Sequence, residues 1–230
     1  MILPDKTTAL EEAIAMISDG ASIMLGGFGV PGTPFTMIRE LMRQGQKNLT
    51  IIKNDANEVG MGVDHLLAAG QVAKLITTHI GLNPHAIALM NEGKLEVEFC
   101  AQGILAERVR AGGAGLDAIL TDIGIETDLA TGKARVEVNS KQTLVETALR
   151  ADVALIHADR ADVFGNLGYV ATARNFNPVM AMAADRVVVE AETVLPLGGM
   201  DPDQVHTPGA FVDHIVLLGD LSEEYAVVRR

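Results

Sequence analysis

The chain has 230 residues, 30 of them acidic and 18 basic, giving a formal charge of −12 that lacks the Lys and Arg clusters needed to neutralise nucleic-acid phosphates. Its apolar share of 48% suffices for the core of one ordinary domain, but aromatic residues are only 3% and Trp is absent, so that core must be aliphatic. A lone cysteine, Cys100, excludes an internal disulfide framework and fits a reducing compartment.

The first residues (MILPDKTTALEEAIAMISDG) carry acids where a secretory signal would be basic, then show helical spacing. A cytoplasmic protein is expected. Residues 21–38 are uncharged, but four glycines and two prolines interrupt them, so they read as a strand, a turn and a helix start rather than a membrane span.

Short apolar runs bounded by turn residues follow in a regular rhythm. Strands are predicted over Ala21–Leu25, Leu49–Lys53, Val72–Ile76, Leu95–Phe99, Ala118–Thr121, Val153–Ala158, Arg186–Val189 and His214–Leu218. Helical spacing fills most intervals: Thr33–Gln44, with Thr33 as cap and Pro34 at the first helical position, then Val59–Ala69, Pro84–Asn91, Gly103–Ala111, Lys141–Leu149 and Asn177–Ala184. Residues 122–140 break the rhythm with period-two alternation on either side of Thr131-Gly132-Lys133, which predicts a small antiparallel hairpin. The expected fold is α/β: an open, mostly parallel sheet flanked by helices, one domain over 1–230 with a β-hairpin excursion.

The densest feature is Asp19-Gly20-Ala21-Ser22-Ile23-Met24-Leu25-Gly26-Gly27-Phe28-Gly29-Val30-Pro31-Gly32-Thr33-Pro34. Gly27, Gly29 and Gly32 satisfy the dinucleotide pattern G-x-G-x-x-G after a strand, and Asp55 stands where a ribose-binding acid would. Against this, Pro31 lies inside the turn and Pro34 removes an amide from the helix end that would hold a pyrophosphate. Pattern alone leaves three readings open: a dinucleotide site, another anion or acyl site, and a bare turn.

The same segment resembles the signature of the first subunit of family I coenzyme A transferases. The shared features are Asp19-Gly20, the apolar Ile23-Met24-Leu25, Gly26-Gly27-Phe28 and Gly32-Thr33-Pro34. Asn54-Asp55, His79-Ile80-Gly81, Gln102-Gly103, Leu105-Ala106-Glu107-Arg108, Ala173-Arg174-Asn175-Phe176-Asn177 and His206-Thr207-Pro208-Gly209 look like that subunit too, in its order. Two places depart from it: Ala101-Gln102-Gly103-Ile104, where the family has Pro-Gln-Gly-Thr, and Thr121-Asp122-Ile123-Gly124, where it has Thr-Pro-Thr-Gly.

The resemblance implies the open α/β architecture of that superfamily, coenzyme A as substrate with no permanently bound cofactor, and an α2β2 complex with a beta subunit. It further implies ping-pong transfer between a short-chain or 3-oxoacyl-CoA and a carboxylic acid, through a glutamate nucleophile. That glutamate belongs to a Ser-Glu-Asn-Gly motif of the second subunit. This chain has no such motif; Ser222-Glu223-Glu224 is the nearest and reads as a polar tail, so no catalytic nucleophile is expected here. The expected contribution is the other wall of the site, with Gly26, Gly27, Phe28, Asn54 and Gln102 binding an oxyanion or substrate. Gly26 through Gly32 (Gly26, Gly27, Phe28, Gly29, Val30, Pro31, Gly32) form the expected CoA-binding loop. Glycines there would let a ligand approach the backbone, whose N–H groups are natural oxyanion donors.

Alternatives within the same fold are a two-subunit CoA-thioester hydrolase or ring-opening enzyme, and a ligand-sensing sugar-phosphate-binding module. A strand-end Asn54 also suits a plain turn, and His79 reads more simply as structural than as a base. Arg174 fits either an anion or a surface acid. Histidine spacing gives no metal site, and Cys100 reads as a small apolar residue.

Overall fold

Aliphatic runs bounded by Gly, Asn and Asp become short parallel strands here. The computed structural model describes residues 5–228. Its first half alternates regularly: α1 (Leu10–Ala15), β1 (Ser22–Leu25), α2 (Phe35–Gln44), β2 (Leu49–Ile52), α3 (Val63–Ala68), β3 (Val72–Thr77), α4 (Pro84–Asn91), β4 (Glu96–Phe99) and α5 (Gln102–Gly113). Then come β5 (Ala118–Thr121), β6 (Arg135–Val138), β7 (Lys141–Thr147), β8 (Ala151–Asp162), β9 (Leu167–Gly168), α6 (Asn177–Met182), β10 (Ala184–Leu195) and β11 (His214–Leu217).

The main sheet runs β11-β10-β8-β1-β2-β3-β4, all parallel, with β9 antiparallel against β8. Ile23 and Leu25 of β1 meet Ile14, Ile38, Leu41 and Leu66 from α1 to α3 on one face; Met24 faces Leu105, Val109 and Met180 from α5 and α6 on the other. Covered on both faces, these strands read as unbroken aliphatic runs rather than alternating ones. From β1 the chain continues to β2 on one side, whereas β8 later pairs with β1 on the other. That reversal opens a crevice beyond the carboxyl end of β1, where ligands bind in open parallel sheets.

The helix expected over Lys141–Leu149 is instead β7, the centre of an antiparallel sheet ordered β5-β7-β6. Leu144 and Glu146 share its buried face, and Glu146 is held there by Lys133 Nζ at 2.6 Å and Arg108 Nε at 3.9 Å. A paired charge on the inward face hides the period-two pattern. The hairpin turn is displaced as well. Thr131-Gly132-Lys133 follows a single 3-10 turn, while β6 and β7 are joined by Asn139 and Ser140 at φ 51° and 60°. That two-residue, doubly left-handed link is a type I′ geometry that favours Gly at its second position. Ser140→Gly should therefore raise stability by about 1 kcal/mol, read as an increase in melting temperature; a decrease would mean that the turn lies elsewhere.

Strands β8 and β10 are also longer than their aliphatic runs predict. Their extensions carry charged residues, Asp159, Arg160 and Asp162 on β8 and Glu190 and Glu192 on β10, and Glu190 is the register partner of His157. The capping role expected of Thr33 falls elsewhere: its Oγ1 donates to Gly29 O at 2.7 Å, and Glu190 Oε2 instead accepts from Met37 N at 2.9 Å. A buried carboxylate from the sheet thus satisfies one of the free amides at the start of α2.

Candidate active site

The glycine segment crosses the crevice after β1. Of the amides at positions 26 to 29, Gly26 donates to Leu155 O at 3.0 Å, Phe28 to Pro31 O at 3.1 Å and Gly29 to Asp55 Oδ2 at 2.8 Å. Gly26 and Phe28 are therefore not the free oxyanion donors expected from the sequence. Gly27 is buried, and its amide has no acceptor among the described residues. A buried amide left unpaired is costly, which sets Gly27 apart from its neighbours in the loop. Phe28 projects 45% exposed from the tip of the loop.

Phe28, Gly29 and Val30 line a cavity of about 190 Å3 with Asp55–Glu58 after β2, Met61, and His79, Ile80 and Leu82 after β3. Of the other four residues of the expected CoA loop, Pro31 and Gly32 line a different cavity of about 440 Å3, described below, and Gly26 and Gly27 line neither of the two.

Asn54 and Gln102 are brought together: Gln102 Nε2 donates to Asn54 Oδ1 at 2.9 Å. Asn54 itself is fully buried, and its Nδ2 donates to Asp55 Oδ2 at 3.0 Å, so within this chain both its polar atoms serve neighbours rather than a ligand. Gln102 stays exposed at the start of α5. Asp55, which the dinucleotide reading needed on a ribose, is 5% exposed and committed to the loop through Gly29 N. Burial would raise its pKa, but the Lys53 charge and bonds from Gly29, Asn54 and Asn57 outweigh that and hold the carboxyl below its ordinary value. Lys53, which the sequence places at the end of a predicted strand without a role, follows directly on β2, is wholly buried, and has its ammonium pushed down by desolvation against the pull of Asp55.

His79 lines the first cavity, with Nδ1 2.9 Å from Thr78 Oγ1. The Thr78 hydroxyl already donates to Asn54 O at 2.7 Å, so it accepts from His79 Nδ1–H.

The second cavity is bordered by His157, Asp159, Glu192, Leu221 and Tyr225 besides Pro31 and Gly32. His157 lies between Glu190 and Glu192, with Nδ1 at 3.1 Å from one and Nε2 at 3.2 Å from the other. Burial would lower its pKa, but the two carboxylates prevail and push it up to about 9. Ser222-Glu223-Glu224 is not a loose polar tail. Glu224 is 8% exposed and accepts from Arg39, Gly62 N and His65, while the Tyr225 hydroxyl donates to Thr33 O.

The two sequence departures are taken up by the fold. Ile104 is 5% exposed within α5, and Asp122 pairs with Lys141 at 2.6 Å on the surface of the small sheet. Arg174 makes no ion pair among the described residues; its charge helps lower the pKa of His206 after burial, the larger cause. Cys100 is buried, its Sγ accepts from Arg108 Nη1 at 3.0 Å, and desolvation pushes its thiol up. Among the described residues no group of three or more His, Cys, Asp or Glu is placed to hold a metal ion, and no helix is long and apolar enough to cross a membrane.

The family model described as Coenzyme A transferase matches residues 7–218. A Bacillus subtilis (strain 168) protein named "Probable coenzyme A transferase subunit alpha" is 48% identical over 212 residues, covering 92% of this chain and 93% of its own length. The solved structure of a variant of the decarboxylase AibA/AibB matches with a TM-score of 0.81 and 31% identity, covering 94% of this chain and 84% of that one. An acyl-CoA transferase of Escherichia coli O157:H7, solved as a thioester complex with CoA, shares the fold at a TM-score of 0.85 and 23% identity; 96% of this chain aligns with 48% of that one. The matched segment takes in the glycine loop, the Asn54–Gln102 pair and the strands that carry them, and on these grounds the chain belongs to the coenzyme A transferase family.

Proposed function

We propose that this chain is the alpha subunit of a two-subunit enzyme that moves coenzyme A between a short-chain acyl-CoA or 3-oxoacyl-CoA and a free carboxylic acid. The observation that carries the reading is a wall of donors without a nucleophile. The Gly27 amide and the exposed Gln102 lie in segments beyond the carboxyl ends of the central strands, whereas Asp55 is locked in hydrogen bonds. Glu58, the other acid lining the first cavity, is exposed on the loop after β2, with no side-chain partner among the described residues to aim it.

The nucleophile then comes from a beta subunit. Its glutamate carboxylate attacks the thioester carbonyl, the C–S bond breaks, and CoA thiolate leaves an acyl-glutamyl anhydride. Thiolate attack on the glutamyl carbonyl expels the first carboxylic acid as its anion and forms a glutamyl-CoA thioester. The acceptor carboxylate repeats these steps in reverse. Oxyanions develop at both carbonyls, and Gly27 N–H with the free Gln102 N–H are the donors this chain offers them. The proposed assembly is α2β2, the proposed location cytoplasmic, and no cofactor beyond CoA is required.

That the same fold at 48% of a longer chain occurs in an acyl-CoA transferase supports a site completed by a second half. A second reading, hydrolysis or ring opening, keeps this wall and changes the partner; the 31% identical decarboxylase favours partner-set chemistry of that kind. The purified chain should give no transfer from acetyl-CoA to acetoacetate or butyrate, and transfer should appear when the beta subunit is added. Mass spectrometry should then find the trapped glutamyl-CoA on the partner. Turnover by this chain alone, or an adduct on Glu58, would end the divided-site reading, and an active complex without any adduct would favour the second one.

A further inference from the structure

Two buried charges stand at the carboxyl end of β2, and the transfer steps above use neither directly. Lys53 Nζ lies 3.4 Å from both oxygens of Asp55. Such a pair is weak evidence for stability, because desolvating both charges offsets most of their attraction.

What a carboxylate adds is direction. An ionised Asp55 only accepts hydrogen bonds, so Asn54 must turn Nδ2 towards Asp55 Oδ2 and leave Oδ1 facing the other way. Gln102 must then bring Nε2 to that oxygen, which fixes its own amide as well. Its second Nε2–H and its Oε1 are left at the exposed start of α5. The same Asp55 oxygen receives Gly29 N at 2.8 Å, so one carboxylate sets both the glycine loop and the Gln102 amide. An asparagine at position 55 has a single acceptor oxygen where Gly29 N and Asn57 N each donate to a different carboxylate oxygen, so it can serve only one of these amides at a time and no longer fixes which end of Asn54 faces it.

Resting on the proposed transfer reaction, we infer that Lys53 and Asp55 are positioning residues: the carboxylate, acting only as an acceptor and held opposite Lys53, orients the Asn54 and Gln102 amides so that Gln102 presents an N–H to the developing oxyanion. Lys53 holds the carboxylate in place and in its charged form without touching substrate.

Asp55→Asn alone would strand a buried ammonium and risk the fold, so the informative variant is Lys53→Met with Asp55→Asn, in which both charges are gone and both shapes remain. In the reconstituted two-subunit complex it should melt within a few degrees of wild type and keep KM for acetyl-CoA within about threefold, while kcat drops about 30-fold. On a Gln102→Ala background the same pair should change kcat by no more than about threefold, because the amide it orients is gone. An equal loss on both backgrounds, or an undiminished kcat in the pair variant, overturns the relay. The wild-type complex in the same assay separates the two levels: absence of transfer there removes the proposed function and the relay with it, whereas transfer with additive losses removes only the relay.

Discussion

Gly27→Ala should destabilise the protein by roughly 2–6 kcal/mol and remove transfer activity from the reconstituted complex, whereas Gly29→Ala should cost only about 1–2 kcal/mol and keep measurable turnover. The contrast comes from what surrounds each position. Gly27 has φ 98°, and a Cβ there would lie 2.6 Å from Thr33 N and 2.7 Å from Thr33 Cα. Thr33 has little freedom to yield. It is fully buried, its N donates to Val30 O at 3.2 Å, its Oγ1 to Gly29 O at 2.7 Å, and its own carbonyl receives the Tyr225 hydroxyl. The overlap therefore pushes on backbone next to the start of α2. At Gly29, φ is 59°, but a Cβ would find nothing within 4 Å, so only the left-handed strain is felt. Urea unfolding of each variant, followed by kcat with the partner added, would test this. A Gly27→Ala chain of native stability would show that the loop is looser than its contacts imply.

From the sequence, the glycines were expected to admit a ligand to the backbone; at Gly27 the loop's own return against Thr33 already requires glycine. A repeated motif marks the place without saying which neighbour uses it. The parallel strands were legible because both faces are buried, which writes an unbroken aliphatic run such as Ile23-Met24-Leu25. Strand β7 was not, because Glu146 holds an inward position only by virtue of Lys133 and Arg108, which lie elsewhere in the chain. The extended ends of β8 and β10 were missed for a similar reason: Asp159, Arg160 and Asp162 on one strand and Glu190 and Glu192 on the other look like surface residues until the register sets the strands side by side. Within the candidate site, Asn54 and Gln102 could be nominated singly from their strand ends. Their mutual bond, the dependence of both on Asp55 and the burial of Lys53 arise only when β2 and the start of α5 come together. The last turn was misread because Glu224 and Tyr225 find their partners more than 150 residues upstream.

Stability should decline as pH rises from 6.5 to beyond 9, by about 3 kcal/mol from His157 alone. Its pKa is raised in the folded chain to about 9 from an ordinary 6.5. A group whose folded pKa is raised stabilises fully below its unfolded value, and that contribution fades as pH climbs through the folded one. Proton loss leaves Glu190, which is wholly buried, and Glu192 without the cation between them, beside the Tyr225 ring 4.9 Å away. Burial and the nearby Glu190, Glu192 and Glu224 hold the Tyr225 hydroxyl protonated well past that range, so it does not share the transition. Glu190 also accepts from Met37 N, so the charge state of His157 bears on the start of α2 and on the segment that returns from the glycine loop. A variant with His157→Gln and Glu190→Gln keeps an oxygen for Met37 N and removes both charges. Urea midpoints measured at pH 6.5 and pH 9.5 should fall for the wild-type chain and lose most of that difference in the double variant. An identical decline in both chains would place the titrating group elsewhere and leave the buried His157–Glu190 pair a matter of packing.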